Sequence, residues 1–113
     1  MTKSITTIKE LQQYFKGVEK RAGHHAKKVK EIIYPALCLI IAYFDSDSDI
    51  EVMTNVIWAH INGTRYAFSY EPSKSVIQIK KGSTKGKILY SIDNSLTIKE
   101  LINIFESLSN AKE

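Results

Sequence analysis

The side chains of this chain that could do chemistry fall into three groups: the histidines His24, His25 and His60, a tryptophan–arginine pair at Trp58 and Arg65, and scattered lysines. His24 and His25 are neighbours on a predicted helix, so they point about 100° apart and cannot chelate one metal ion. No further ligand follows at i+3 or i+4, and no metal site is expected. His25 lies on an apolar stripe within reach of Arg21 and Val29, where a packed histidine is the ordinary reading; both remain candidates for acid–base or ligand contact. Asp45, Asp47 and Asp49 imitate the opening of a calcium loop. Ile50 stands where that loop needs glycine and Val56 where it needs its bidentate glutamate, so calcium is excluded. Cys38, the single cysteine, sits in the apolar run LCLIIAYF and reads as a small buried hydrophobe. Asn62-Gly-Thr64 is formally a glycosylation acceptor, which has no meaning without secretion.

Lysines form two patterns. At 100° per residue, Lys9, Lys16, Lys20, Lys27 and Lys30 fall on one side of the first predicted helix, a row that could follow a phosphate backbone. A solvated face is the ordinary reading of such a row, and the lack of arginines weakens the nucleic-acid one. The loop Lys80-Lys-Gly-Ser-Thr-Lys-Gly-Lys87 has glycines and positive charge but neither the Walker spacing nor a following helix, so it reads as a hairpin turn.

The best-defined constellation is NVIWAHINGTRYAFSY, residues 55–70. Asn62-Gly63 between two alternating runs is a two-residue hairpin turn, with both residues at positive φ. It sets Ile61 against Thr64, His60 against Arg65, Ala59 against Tyr66, Trp58 against Ala67 and Ile57 against Phe68. Parity then sorts the side chains: Ile57, Ala59, Ile61, Tyr66, Phe68 and Tyr70 form a core face, while Trp58, His60, Arg65, Ala67 and Ser69 form the other. Trp58 and Arg65 are diagonal neighbours, so the guanidinium can stack on the indole. A tryptophan and two nitrogen-rich groups are unusual for a plain solvent face, and this face is expected to be covered, by a helix, a second subunit or a ligand.

Elements must hold these groups in place. Thr7-Ile-Lys-Glu-Leu11 and Thr97-Ile-Lys-Glu-Leu101 are both capping boxes, read as convergent helix starts rather than a duplication. From Ile8 to Ile32 apolar residues recur in steps of three and four, which predicts one long helix over about 7–33, or two with a bend at Gly23, ended by Tyr34-Pro35. Ala36 to Phe44, apolar without alternation, is expected to be a central strand covered on both faces. Ile50 to Met53, the hairpin, and Val76 to Lys81 with Lys87 to Ile92 supply the other strands, and a helix over about 97–108 closes the chain. The expectation is an α+β domain: a long helix, about five mostly antiparallel strands within about 36–92, and a final helix.

At 113 residues and 43% hydrophobic, the chain is expected to form one domain over 1–113. A single cysteine, no apolar leader and no stretch long enough to cross a bilayer point to a soluble cytoplasmic protein without membrane contact. The net charge of +4 permits nucleic acid or an acidic partner without requiring either.

Two stretches are similar to a known family. GHHAKKVKEI with the following apolar run and Asp45, and NVIWAHINGTRYAFSY with GKILYSIDNS and a closing helix, resemble the small bacterial proteins encoded by mobile integron gene cassettes, over residues 22–108. The matching positions are His24, His25, Ala26, Val29 and Glu31, then Trp58, Arg65, Tyr66, Ser69 and Tyr70, then Asp93, Asn94 and Ser95. Pro35 and Cys38 depart from the small aliphatic residues expected there. The resemblance implies an α+β domain that often self-associates, with room for a small-molecule pocket. It implies no established reaction and transfers no catalytic residue or cofactor.

Three function classes follow. The leading one is a homo-oligomeric interaction module, a homodimer without catalysis of its own, using the Trp58, His60, Arg65 face or the apolar stripe of the first helix. The second is a small-molecule-binding domain or enzyme with His24, His25, Tyr66 and Tyr70 around a cleft. The third is nucleic-acid binding by the lysine row.

Overall fold

The computed structural model describes residues 3–5, 7, 9, 10, 12–14, 16, 17, 20, 30–53 and 55–110. After a short strand β1 (Lys3–Ile5) come helix α1 (Lys30–Tyr43), strands β2 (Ile50–Met53), β3 (Val56–Ile61), β4 (Thr64–Glu71), β5 (Val76–Lys81) and β6 (Ile88–Ile92), and helix α2 (Ile98–Asn110). The strands form one antiparallel sheet in the order β1-β2-β3-β4-β5-β6. The architecture is α+β as expected.

The β3–β4 hairpin forms in the expected register, from Ile61↔Thr64 through Ile57↔Phe68. Asn62 (φ 51°) and Gly63 (φ 81°) both sit in the left-handed region that a turn of this twist needs. The carboxylate of Asp45 braces the turn, accepting from the Asn62 and Gly63 amides at 2.8 Å each. The Asp45 amide in turn donates to the His60 carbonyl at 2.7 Å. The segment leaving α1 is thereby fastened to the hairpin tip.

Ala36 to Phe44 is not a strand, and no helix ends at Ile33: α1 runs through Pro35 to Tyr43. Ile32, Ile33, Ala36, Leu37 and Ile40 are buried while Glu31, Tyr34, Cys38 and Ala42 are exposed, the 3.6-residue period of a helix with one buried side. Pro35 lacks the N–H that would bond the Glu31 carbonyl, at a cost of about 3 kcal/mol for an interior proline. Burying four Ile and Leu side chains at about 1.5–3 kcal/mol each outweighs that cost. The start of α1 is capped from a distance, since Asn94 Oδ1 accepts from the Glu31 and Ile32 amides at 3.0 Å each. Cys38 is exposed on the outward side of α1, which corrects the expectation of a buried thiol.

In the first predicted helix, residues 9, 10, 12–14, 16, 17 and 20 are helical. The Glu10 amide donates to Thr7 Oγ1 at 3.2 Å, the expected N-cap bond. The expected continuation through Gly23 lies on residues outside those described. The sheet begins at Ile50, with β1 added at its edge, rather than at residue 36.

At α2 the capping box is complete: the Glu100 amide donates to Thr97 Oγ1 at 3.1 Å and the Thr97 amide to Glu100 Oε1 at 2.9 Å. The Thr97 backbone amide, then its hydroxyl, hold the Glu100 carboxyl below the usual glutamate range. A carboxyl depressed in the folded state adds stability above its unfolded value and loses it as pH falls through the folded one. We therefore expect the Glu100 side-chain carbon to titrate by NMR below the ordinary ~4.3. Glu100→Gln should remove only the acid-side part of the stability-versus-pH curve; a titration at or above the ordinary value would contradict the box.

The core lies between the sheet and helices α1 and α2, with Tyr14 of the N-terminal helical segment packed against it. A cross-strand row of Val52, Ile57, Phe68, Ile79 and Tyr90 runs along the inner face. It joins Ile32, Leu37 and Ile40 of α1 and Leu101, Phe105 and Leu108 of α2 in one cluster. Phe105, fully buried, stacks on Phe68 with centroids 5.7 Å apart and meets Tyr43 at 5.9 Å. α1 and α2 thus pack on the same side of the sheet.

Candidate contact surface

The opposite face carries the constellation read from the hairpin. Glu51, Trp58, Ala67 and Lys80 lie abreast across β2 to β5, with Val56, Ser69, Gln78 and Ser91 in the row two residues along. Trp58 (8% exposed) and Ala67 (0%) are buried, yet neither belongs to the cluster between sheet and helices. They form a second, smaller apolar layer, buried within a single chain, while Glu51, Val56 and Arg65 around it stay partly exposed.

Arg65 lies over that layer. Its guanidinium carbon is 5.4 Å from the Trp58 ring centroid, the diagonal stacking that the register predicted. It donates to Glu51 Oε1 at 3.2 Å and to the Gly82 carbonyl at 3.0 Å. About a third of the Arg65 and Glu51 side chains, 35% and 34%, remains exposed. An ion pair this open contributes roughly 0–1 kcal/mol, and the stacking about 0.5–1, so the arrangement fixes the arginine more than it stabilises the fold. His60, across from Arg65, is half-buried, and its Nδ1 is buried without a hydrogen-bond partner among the described residues.

Farther along, buried Lys80 donates to the Thr84 carbonyl at 3.0 Å and approaches Glu71 Oε2 at 3.5 Å, which also accepts from Ser69 Oγ at 3.0 Å. Glu51 and Glu71 were not singled out from the sequence, and Lys80 only as the start of the basic loop. Extending the hairpin parity one strand to each side, to β2 and β5, would have placed Glu51 and Lys80 on this face.

The other candidates fall elsewhere. Tyr66 (2% exposed) is in the inner core, with Tyr70 packed against it, on the face opposite Trp58. His24 and His25 lie outside the described residues, so their meeting with Tyr66 and Tyr70 is not established. Lys9, Lys16 and Lys20 are exposed, Lys27 is outside the described residues, and Lys30 opens α1. Asp45 serves the hairpin brace, and among the described residues no group of three or more His, Cys, Asp or Glu could hold a metal ion. The Lys80–Lys87 segment is a hairpin turn, as expected. None of the described helices is long and apolar enough to cross a membrane.

A family model described as "Integron cassette protein VCH_CASS1 chain" matches residues 11–102, most of the 113-residue chain. The chain therefore belongs to this integron cassette protein family, as the resemblance of its histidine and hairpin segments implied. No curated protein matches the chain.

Proposed function

We propose that this integron cassette protein is a homodimeric, cytoplasmic interaction module without catalysis of its own, which meets its second copy through the Arg65–Glu51 patch of the outer sheet face. The observation that carries this reading is the fixing of Arg65. The side chain is stacked on a buried tryptophan and tied to Glu51 and Gly82, yet a third of it is open to a partner. Arginine on a rigid support loses little freedom on binding and is a frequent anchor at interface centres. A two-fold interface needs a self-complementary patch, and an acid beside a base supplies one, because each can exchange partners across the axis. Trp58 acts as the floor of this patch rather than as its contact.

Charge reversal tests the reading. Arg65→Glu places two acids on the patch and is expected to sediment as a monomer. The swap Glu51→Arg with Arg65→Glu restores opposite charges and should restore the dimer. An unchanged dimer in the single variant would remove the patch from the interface.

A further inference from the structure

We propose that the β5–β6 hairpin loop, residues 82–87, with its flanking Lys81, is a contact surface for the phosphodiester backbone of nucleic acid, read without base sequence. The charge distribution points there. Between Glu71 and Asp93 the chain holds Lys74, Lys80, Lys81, Lys85 and Lys87 and no acidic residue, so this one segment carries +5 against a net +4 for the whole protein.

The fold sorts those lysines. Lys80 turns inward onto Thr84 and Glu71, spending its charge within the chain. Lys81, Lys85 and Lys87 are exposed, and no described acidic group pairs with them. Their backbone frame is rigid. The Lys81 amide donates to the Lys87 carbonyl, Gly82 to Arg65, Ser83 to Lys81 and Gly86 to Ser83, with Arg65 donating back to the Gly82 carbonyl. Gly86 is required by this packing, since a Cβ there would stand 1.8 Å from the Lys81 carbonyl oxygen.

The same bonds decide the mode of binding. With the Gly82 amide committed to Arg65 of β4 and the Ser83, Lys85 and Gly86 amides committed within the hairpin, no run of successive free amides is left to form a nest around one phosphate. What remains is three ammonium groups on a fixed hairpin tip. Lysines contact phosphates as point charges, and the tip offers no exposed aromatic ring to stack a base, so a repeating phosphate chain fits it better than a single anion.

The experiment uses the full chain, a fluorescently labelled mixed-sequence DNA as single strand and as duplex, and anisotropy across a salt series. The wild type should bind at low salt, with log affinity falling linearly against log salt. Lys81→Gln, Lys85→Gln and Lys87→Gln together should reduce that slope by about 2–3 and the low-salt affinity at least tenfold. The matching triple at Lys9, Lys16 and Lys20 should leave both unchanged. Circular dichroism and the dimer mass of the loop variant should match wild type, which separates this proposal from the Arg65 interface. It is overturned by absence of DNA binding at low salt, by a loop variant that keeps the wild-type slope, or by polyglutamate competing as well as DNA, which would make the partner an acidic protein.

Discussion

Trp58→Ala is expected to lower folding stability by about 3–5 kcal/mol, the usual cost of truncating a buried tryptophan. Trp58 is 8% exposed within a single chain and supports the Arg65 guanidinium. Its removal opens a cavity over Ala67 and frees the arginine together. Because the burial is intramolecular, the loss should appear in urea unfolding followed by circular dichroism and be equal at low and high protein concentration. A loss below about 1 kcal/mol, or one seen only where the protein associates, would mean that a partner rather than the chain covers the indole.

Phe105→Ala should cost a similar amount, about 3–5 kcal/mol, by a separate route. This fully buried ring is where α2 meets both Phe68 of β4 and Tyr43 at the end of α1. Truncation therefore loosens both helices against the sheet, whereas the outer face loses no contact. The two substitutions sit on opposite faces of the sheet and share no described partner, so their effects should add within roughly 0.5 kcal/mol in the double variant. A strongly non-additive result would show that the layers are coupled. The check is the denaturant midpoint of the single and double variants with an unchanged slope.

The hairpin was legible because its turn dictates everything downstream. Asn62-Gly63 admits one register, and parity then placed Tyr66 and Phe68 in the core and Arg65 over Trp58. The α2 start was equally legible, since Thr97 and Glu100 bond within four residues of chain. α1 was misread because local rules favoured the wrong answer. A proline marked a helix end, and the unbroken apolar run behind it has no alternation to separate a buried strand from a helix. The stabilisation comes from distant partners: the α2 and sheet side chains around Leu37 and Ile40, and Asn94 capping from 63 positions away. The exposed thiol of Cys38 follows from the same misreading, since a strand buried on both faces would have hidden it. At the outer face, sequence identified the tryptophan and arginine but not their roles. That Trp58 lies beneath Arg65 rather than beside it depends on Glu51 and Gly82, which approach from β2 and from the β5–β6 loop.

The central claim, that the chain works as a self-associating module through the Arg65–Glu51 patch, is tested most directly by the mass of the wild-type protein in solution. Light scattering under reducing conditions, over a wide concentration range, should give twice the 12.8 kDa of one chain. The Arg65→Glu variant should give the single-chain mass. A wild-type protein that stays at the single-chain mass at every concentration would contradict the account.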